Sequence, residues 1–143
     1  MLCRTKIANM NKVTPSFILP VLFIGFLVWF IATLAFRLAG QFFFLTESPA
    51  ILSILYLIVI PSMIFLSLFT FKKFNLVGFE KTAAGILLVL PGMLIDTFAI
   101  QFFEAIFPNM PATRAASFGS WLMWAYSIVL VTAIISGIRL KQK

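Results

Sequence analysis

The sequence has no histidine, one cysteine and only four acidic residues in a chain of 143. Without histidine, the chain cannot perform Ser-His-Asp or Cys-His catalysis or bind zinc or haem through imidazole. Its single cysteine, Cys3, cannot form a disulfide or a redox pair within one chain. Four carboxylates are too few for a metal site unless several converge. We therefore expect no catalytic residue, no metal site and no cofactor, and predict that the protein is not an enzyme.

Charge is also scarce, because charged residues make up 10% of the chain and hydrophobic residues 62%. Soluble proteins are about 45–50% apolar and about 25% charged. A soluble chain of this size could not bury so much apolar surface. The composition predicts a membrane protein whose main partner is the lipid bilayer. The net charge of +7 is spread over loops and tails without a basic stripe, so we expect no nucleic-acid partner.

Four apolar runs are each long enough for a helix to cross a hydrocarbon core of about 30 Å. Lipid offers no hydrogen-bond partner to the backbone, so each run should be helical. The predicted fold is an all-α integral membrane bundle of four antiparallel transmembrane helices, in a single domain over 1–143. The predicted spans are 16–39, 50–71, 82–107 and 118–138.

Residues at the boundaries favour particular helix starts. Ser48-Pro49 combines a capping side chain with a proline suited to the first turn. Thr82 can cap the third span. The fourth span is also compatible with a start nearer Pro111, since 112–117 can be helical.

Basic residues predict how the chain crosses the membrane. Nine would lie on one side: Arg4, Lys6, Lys12, Lys72, Lys73, Lys81, Arg139, Lys141 and Lys143. Only Arg37 and Arg114 would lie on the other. The positive-inside rule then predicts cytoplasmic N- and C-termini. We interpret the first span as uncleaved, because it is longer than the apolar core of a signal peptide. Met1 and Met10 both remain plausible start residues.

Asp96 is the most informative residue in the sequence. It would lie about 22 Å from the Lys81 end of its span and about 16 Å from the Phe107 end. An aspartate at that depth costs about 2.5–3.5 kcal/mol on insertion scales. Two interpretations remain open. Asp96 either forms a proton or cation site, or it is a hydrogen-bonded residue that joins helices.

Further polar residues occur towards the outer end of the same region. Glu104 follows Asp96 by eight residues and would lie about 80° round the helix, with Gln101 further round. Arg37 falls at a similar depth on the first span, one turn before Gln41. An Arg37–Glu104 ion pair would neutralise two costly charges, whereas separate snorkelling to the headgroups is the alternative.

Aromatic residues invite two interpretations. Trp121, Trp124 and Tyr126 suit an anchoring belt at the headgroups, while an aromatic cage for a ligand is the alternative. Trp29 lies near the middle of its span, so we expect it to pack between helices. Pro91-Gly92 lies just before Asp96, where a kink could expose a backbone carbonyl beside the acid.

Small residues spaced four apart favour close helix contact. Two such pairs occur, Ala35/Ala39 in the first span and Ala133/Gly137 in the fourth.

The second half of the chain resembles a known family. The resemblance rests on the segments Leu90-Pro91-Gly92-Met93-Leu94-Ile95-Asp96, Phe107-Pro108-Asn109-Met110 and Phe118-Gly119-Ser120-Trp121-Leu122-Met123-Trp124-Ala125-Tyr126. These segments are similar to a small bacterial family of unknown function whose members are expected to have four transmembrane helices. The similarity covers about residues 90–135 of this chain. The resemblance implies a bacterial inner-membrane protein and supplies no activity.

The sequence leaves two functional hypotheses. In the first, the protein transports or senses a small cation or an apolar solute, using Asp96. In the second, it is a non-catalytic structural or assembly partner of another membrane protein, with Asp96 and Arg37 joining helices. Either role is compatible with a homo-oligomer. An enzyme acting on lipid or quinone is the least favoured interpretation, since histidine and clustered acids are absent.

Overall fold

The computed structural model describes residues 15–44 and 48–138, and this part of the chain is an all-α bundle. Its four long helices are α1 (Ile18–Ala39), α2 (Pro49–Lys73), α3 (Phe79–Gln101) and α4 (Ala115–Ile138). Short helices occur at Pro15–Phe17, Gln41–Phe44, Phe103–Ile106 and Ala112–Arg114. The described part contains no strand.

The four long helices are long and apolar enough to cross a membrane, as the sequence predicts. Their outer faces carry large apolar side chains, and Leu19 and Phe65, for example, are 75% and 71% exposed. Soluble monomers rarely expose extended apolar patches. The surface is therefore suited to contact with lipid.

The ends of the helices differ from the predicted boundaries in places. The third helix stops at Gln101 and not at residue 107, because Phe102 leaves the helical conformation (φ −108°, ψ 41°). Pro108 disfavours helix at the residue before it, and Phe103 and Phe107 turn into the core. The fourth helical segment starts earlier than 118, with a 3-10 turn at Ala112–Arg114, as the sequence allowed.

The proposed caps are only partly confirmed. Pro49 occupies the first turn of α2 and Ser48 precedes it with an extended backbone, but the Ser48 side chain makes no capping bond. The predicted Thr82 cap is wrong. Helix α3 begins at Phe79, after Gly78 with φ +51°, and the Thr82 hydroxyl instead donates to the Ala133 carbonyl at 3.4 Å. Thr82 thus joins α3 to α4.

Close packing follows the spatial order α1–α3–α4–α2. Glycines permit the closest approaches, because a Cβ at Gly25 would collide with the Leu88 carbonyl and one at Gly85 with the Ala133 side chain. Gly137 packs in the same way on Thr82. The Ala133/Gly137 pair therefore lies at the α3–α4 contact, as its spacing predicts, whereas Ala35 is exposed.

Two apolar clusters occupy opposite ends of the bundle. We name the end with the α2–α3 connection the single-loop end, and the end with the other two connections the double-loop end. Phe17, Val21, Phe71 and Leu76 are buried towards the single-loop end. The aromatic cluster at the double-loop end comprises Phe36, Phe44, Phe103, Phe107, Phe118 and Trp121. The candidate site lies between them.

Several residues singled out in the sequence lie outside the described residues. They are Met1, Cys3, Arg4, Lys6, Met10, Lys12, Arg139, Lys141 and Lys143.

Candidate functional site

Asp96 is the centre of the candidate site and is only 2% exposed. The Trp29 indole Nε1–H donates to Asp96 Oδ1 at 2.7 Å. The Tyr126 hydroxyl donates to Oδ2. One carboxylate therefore joins three helices, since Trp29 belongs to α1, Asp96 to α3 and Tyr126 to α4.

Glycines bring the two donors to the carboxylate. Gly25 lies one turn before Trp29 and allows α1 to approach the backbone of Leu88. Gly92 lies one turn before Asp96, and a Cβ there would be 2.6 Å from the Tyr126 hydroxyl and 3.3 Å from Trp29 Cδ1. The space beside Gly92 is therefore filled by both donor side chains.

Pro91 has a more distant effect than the sequence suggested. Proline has no backbone N–H, so Pro91 cannot donate to the carbonyl four residues earlier, at Leu87. Leu87 lies nine residues before Asp96, which is about 13 Å along the helix axis. The freed carbonyl is therefore not beside the acid.

A cavity of about 70 Å³ adjoins the carboxylate. All four long helices contribute to its walls, and a space of this size has room for several water molecules. The lining is largely apolar and strongly aromatic. Its rings are those of Trp29, Phe36, Phe118, Trp121 and Tyr126. Asp96 is the one acidic residue in this lining, which includes no basic residue.

The other candidate polar residues do not line this cavity. Arg37 Nη1 donates to the Ile106 carbonyl at 2.7 Å, and Glu104 Oε1 accepts from the Ala112 amide at 3.1 Å. The predicted Arg37–Glu104 ion pair does not form, because each side chain is directed to a backbone group of the α3–α4 connection. Gln101 is exposed at the end of α3.

Gln41 belongs to a contact that the sequence did not predict. Asn109 Nδ2 donates to the Phe36 carbonyl at 3.0 Å and also to Gln41 Oε1. A carbonyl can only accept, so the bond to Phe36 fixes which end of the Asn109 amide faces α1. Arg37 and Asn109 together hold the α3–α4 connection against the end of α1.

The aromatic residues of α4 divide between inside and outside. Trp121 is 7% exposed and lines the cavity, and Tyr126 binds Asp96. The belt interpretation is therefore wrong for these two residues. Trp124 is 43% exposed, and its indole donates to the Tyr56 carbonyl at 3.3 Å. Trp29 packs between helices, as its mid-span position predicts.

The comparisons with known proteins give a family without a known activity. The profile described as "Family of unknown function (DUF5367)" matches residues 43–139, which is more than half of the chain. The chain belongs to the DUF5367 family. No curated protein and no solved structure matches it. The resemblance to a family of unknown function is therefore confirmed.

The DUF5367 match covers only part of the candidate site. Asp96 and Tyr126 lie inside 43–139, whereas Trp29 lies before it. Sequence reasoning found Asp96 from its depth alone. It missed the donors because neither Trp29 nor Tyr126 is near Asp96 in the sequence, and helix rotation decides which faces meet.

Replacing Gly92 by alanine is expected to displace both donors. The new methyl group would occupy the space of the Tyr126 hydroxyl and Trp29 Cδ1. We expect a loss of about 1–3 kcal/mol in the free energy of unfolding, as for other overpacked cores. Unfolding by sodium dodecyl sulfate in mixed micelles, followed by circular dichroism, measures it.

Gly119→Ala is the matched control, because its Cβ would meet only the flexible end of Ile100 at 3.2 Å. We expect it to change stability by no more than about 1 kcal/mol, the size of the Gly-to-Ala helix preference. Equal stability of the two variants would show that Gly92 does not shape the site.

Proposed function

We propose that this protein is a multi-pass protein of the bacterial inner membrane that binds a small cation inside its helix bundle, in transport or in sensing. The observation that carries the proposal is the buried Asp96 carboxylate at the wall of an aromatic cavity. Binding is non-enzymatic, and Asp96 supplies the counter-charge.

The chemistry of the lining supports a cation as the ligand. An ionised carboxylate offers about four lone-pair positions, and Trp29 and Tyr126 take one on each oxygen. Acceptor capacity therefore remains on the carboxylate, which lines the cavity. Aromatic faces attract cations, by about 2 kcal/mol or more when the cation is desolvated.

The charges of the described loops support the proposed orientation. Lys72, Lys73 and Lys81 lie at the single-loop end, and Arg37 and Arg114 lie at the other. The positive-inside rule favours the cytoplasm for the end with more lysine and arginine. The termini would then be cytoplasmic, because α1 starts and α4 ends at the single-loop end.

Reconstituted protein provides the test. Wild type and Asp96→Asn are compared for tetramethylammonium binding by calorimetry in nanodiscs and for tetramethylammonium-coupled proton flux in proteoliposomes. We expect binding to the wild type and roughly tenfold or more weaker binding to Asp96→Asn, since a tenfold change corresponds to about 1.4 kcal/mol. A transporter would also lose its flux.

Glu104→Gln is the matched control, because it removes an exposed carboxylate outside the cavity. It should bind like the wild type. Equal binding and flux in the wild type and Asp96→Asn, or the absence of both from each, would contradict the proposal.

A structural role is the second candidate, and one observation favours it. Both donors to Asp96 come from its own bundle, so the carboxylate joins helices without any ligand. In that case the protein assembles with another membrane protein or with further copies of itself through its apolar faces. A stoichiometric partner in mild-detergent purification, together with no cation binding, would support this role.

A further inference from the structure

We propose that the Asp96 cavity opens sideways into the lipid, between α1 and α2, and that its ligand is a membrane-dissolved amphiphilic cation of the alkylammonium type. This inference rests on the proposed function and names the class of ligand and its route. We call the gap between α1 and α2 the α1–α2 seam.

Exposure of the lining residues locates the opening. On α3 and α4 the lining residues are buried, apart from the half-buried Tyr126. On α1 and α2 the reverse holds, since all lining residues except Gly25 are partly exposed. These partly exposed residues are Val28, Trp29, Ala32, Thr33, Phe36, Met63 and Leu66. The cavity therefore reaches the surface on the side of α1 and α2.

The packing order gives the same location. Helix α1 packs on α3, α3 on α4 and α4 on α2, while α1 and α2 form no comparable interface. Near the double-loop end this side is closed by the short helix Gln41–Phe44, which contacts both α1 and α2. The α1–α2 seam is thus the least closely packed side of the bundle.

Both ends of the bundle are blocked by closely packed aromatic side chains. Towards the double-loop end, Phe36 makes edge contacts with Phe118 and Trp121 at centroid distances of 5.4 and 4.9 Å. Phe107 is 1% exposed, and its ring centroid lies 4.9 Å from that of Phe118. Phe17 and Phe71 are buried towards the single-loop end. A ligand from water would have to displace these rings, whereas a ligand from lipid would not.

The route selects the chemistry of the ligand. A hydrated metal ion would need several oxygen ligands and does not dissolve in hydrocarbon. A substituted ammonium group on an alkyl chain combines a positive charge with an apolar part. Its charged end suits Asp96 and the aromatic rings, and its chain suits the apolar seam and the adjoining lipid.

Obstruction of the α1–α2 seam tests the route. Ala32 is partly exposed and lines the cavity, so Ala32→Trp should fill the seam. Ala35 lies on the same helix but is exposed and outside the lining, so Ala35→Trp is the matched control. Association of decyltrimethylammonium is followed by surface plasmon resonance on captured nanodiscs, with protein-free nanodiscs subtracted. Tetramethylammonium serves as the probe with the same headgroup and no chain.

We expect Ala32→Trp to slow decyltrimethylammonium association roughly tenfold or more, and Ala35→Trp to leave it unchanged. Thr33→Trp provides a second obstruction if Ala32→Trp does not fold, as judged by monodispersity and circular dichroism. Unchanged association in both obstructed variants, with Asp96→Asn still defective, would overturn the lateral route and leave the proposed function standing. Failure of tetramethylammonium to bind the wild type would overturn the proposed function itself.

Discussion

Gly25→Ala is expected to destabilise the bundle by about 3 kcal/mol, near the upper end of the usual cost of overpacking. The added methyl group would meet the carbonyl of Leu88, which is backbone and cannot rotate away. Relief requires α1 to move off α3, and that movement also withdraws Trp29 from Asp96. The midpoint of unfolding by sodium dodecyl sulfate in mixed micelles measures the loss.

The comparison with Gly119→Ala separates the cost of the clash with Leu88 from the effect of alanine on helix propensity. Both changes replace a helical glycine by alanine, but only Gly25 faces backbone at such short range. We expect the two variants to differ by about 2 kcal/mol or more. If Gly25→Ala were as stable as the wild type, the close approach of Gly25 to the Leu88 backbone would be incorrect.

Removal of the Asp96 side chain should have the second large effect on stability. Asp96→Ala deprives the Trp29 indole and the Tyr126 hydroxyl of their acceptor. An interhelical hydrogen bond in a membrane protein contributes about 0.6–1.7 kcal/mol, and the cavity left by the side chain adds to the loss. We therefore expect Asp96→Ala to cost about 2–3 kcal/mol.

A double-mutant cycle with Tyr126→Phe shows whether the bond itself is responsible. Tyr126→Phe alone should cost about 1 kcal/mol, and much less when Asp96 is already alanine. Asp96→Asn retains one acceptor oxygen, so its free energy of unfolding should lie between those of the wild type and Asp96→Ala. Strict additivity of Asp96→Ala and Tyr126→Phe would mean that the two side chains do not interact.

The fold could be predicted from the sequence because the hydrophobic requirement of a bilayer is simple. A helix that crosses lipid must be long and apolar, and the four predicted runs overlap α1–α4. The end of α3 could not be predicted in the same way. Residues 102–107 are as apolar as the helix before them, and Pro108 affects only the residue next to it. The earlier break at Phe102 accompanies the burial of Phe103 and Phe107 in the aromatic core, which depends on tertiary packing.

The candidate site could be predicted only in part. Asp96 is recognisable because a carboxylate in the middle of an apolar run is costly wherever it faces. Similar depth predicts an Arg37–Glu104 pair, but depth says nothing about rotation round the helix axis. The break at Phe102 redirects Glu104 towards Ala112, and the Ile106 carbonyl accepts from Arg37 instead.

The hydrogen bond from the Trp29 indole to Asp96 makes the fluorescence of this tryptophan sensitive to the state of the carboxylate. Indole emission depends on the electric field around the ring, and Trp29 Nε1 lies 2.7 Å from Asp96 Oδ1. A chain in which Trp121 and Trp124 are replaced by phenylalanine would carry no other tryptophan. Its emission wavelength would then report binding of the proposed cation to Asp96 without any added dye.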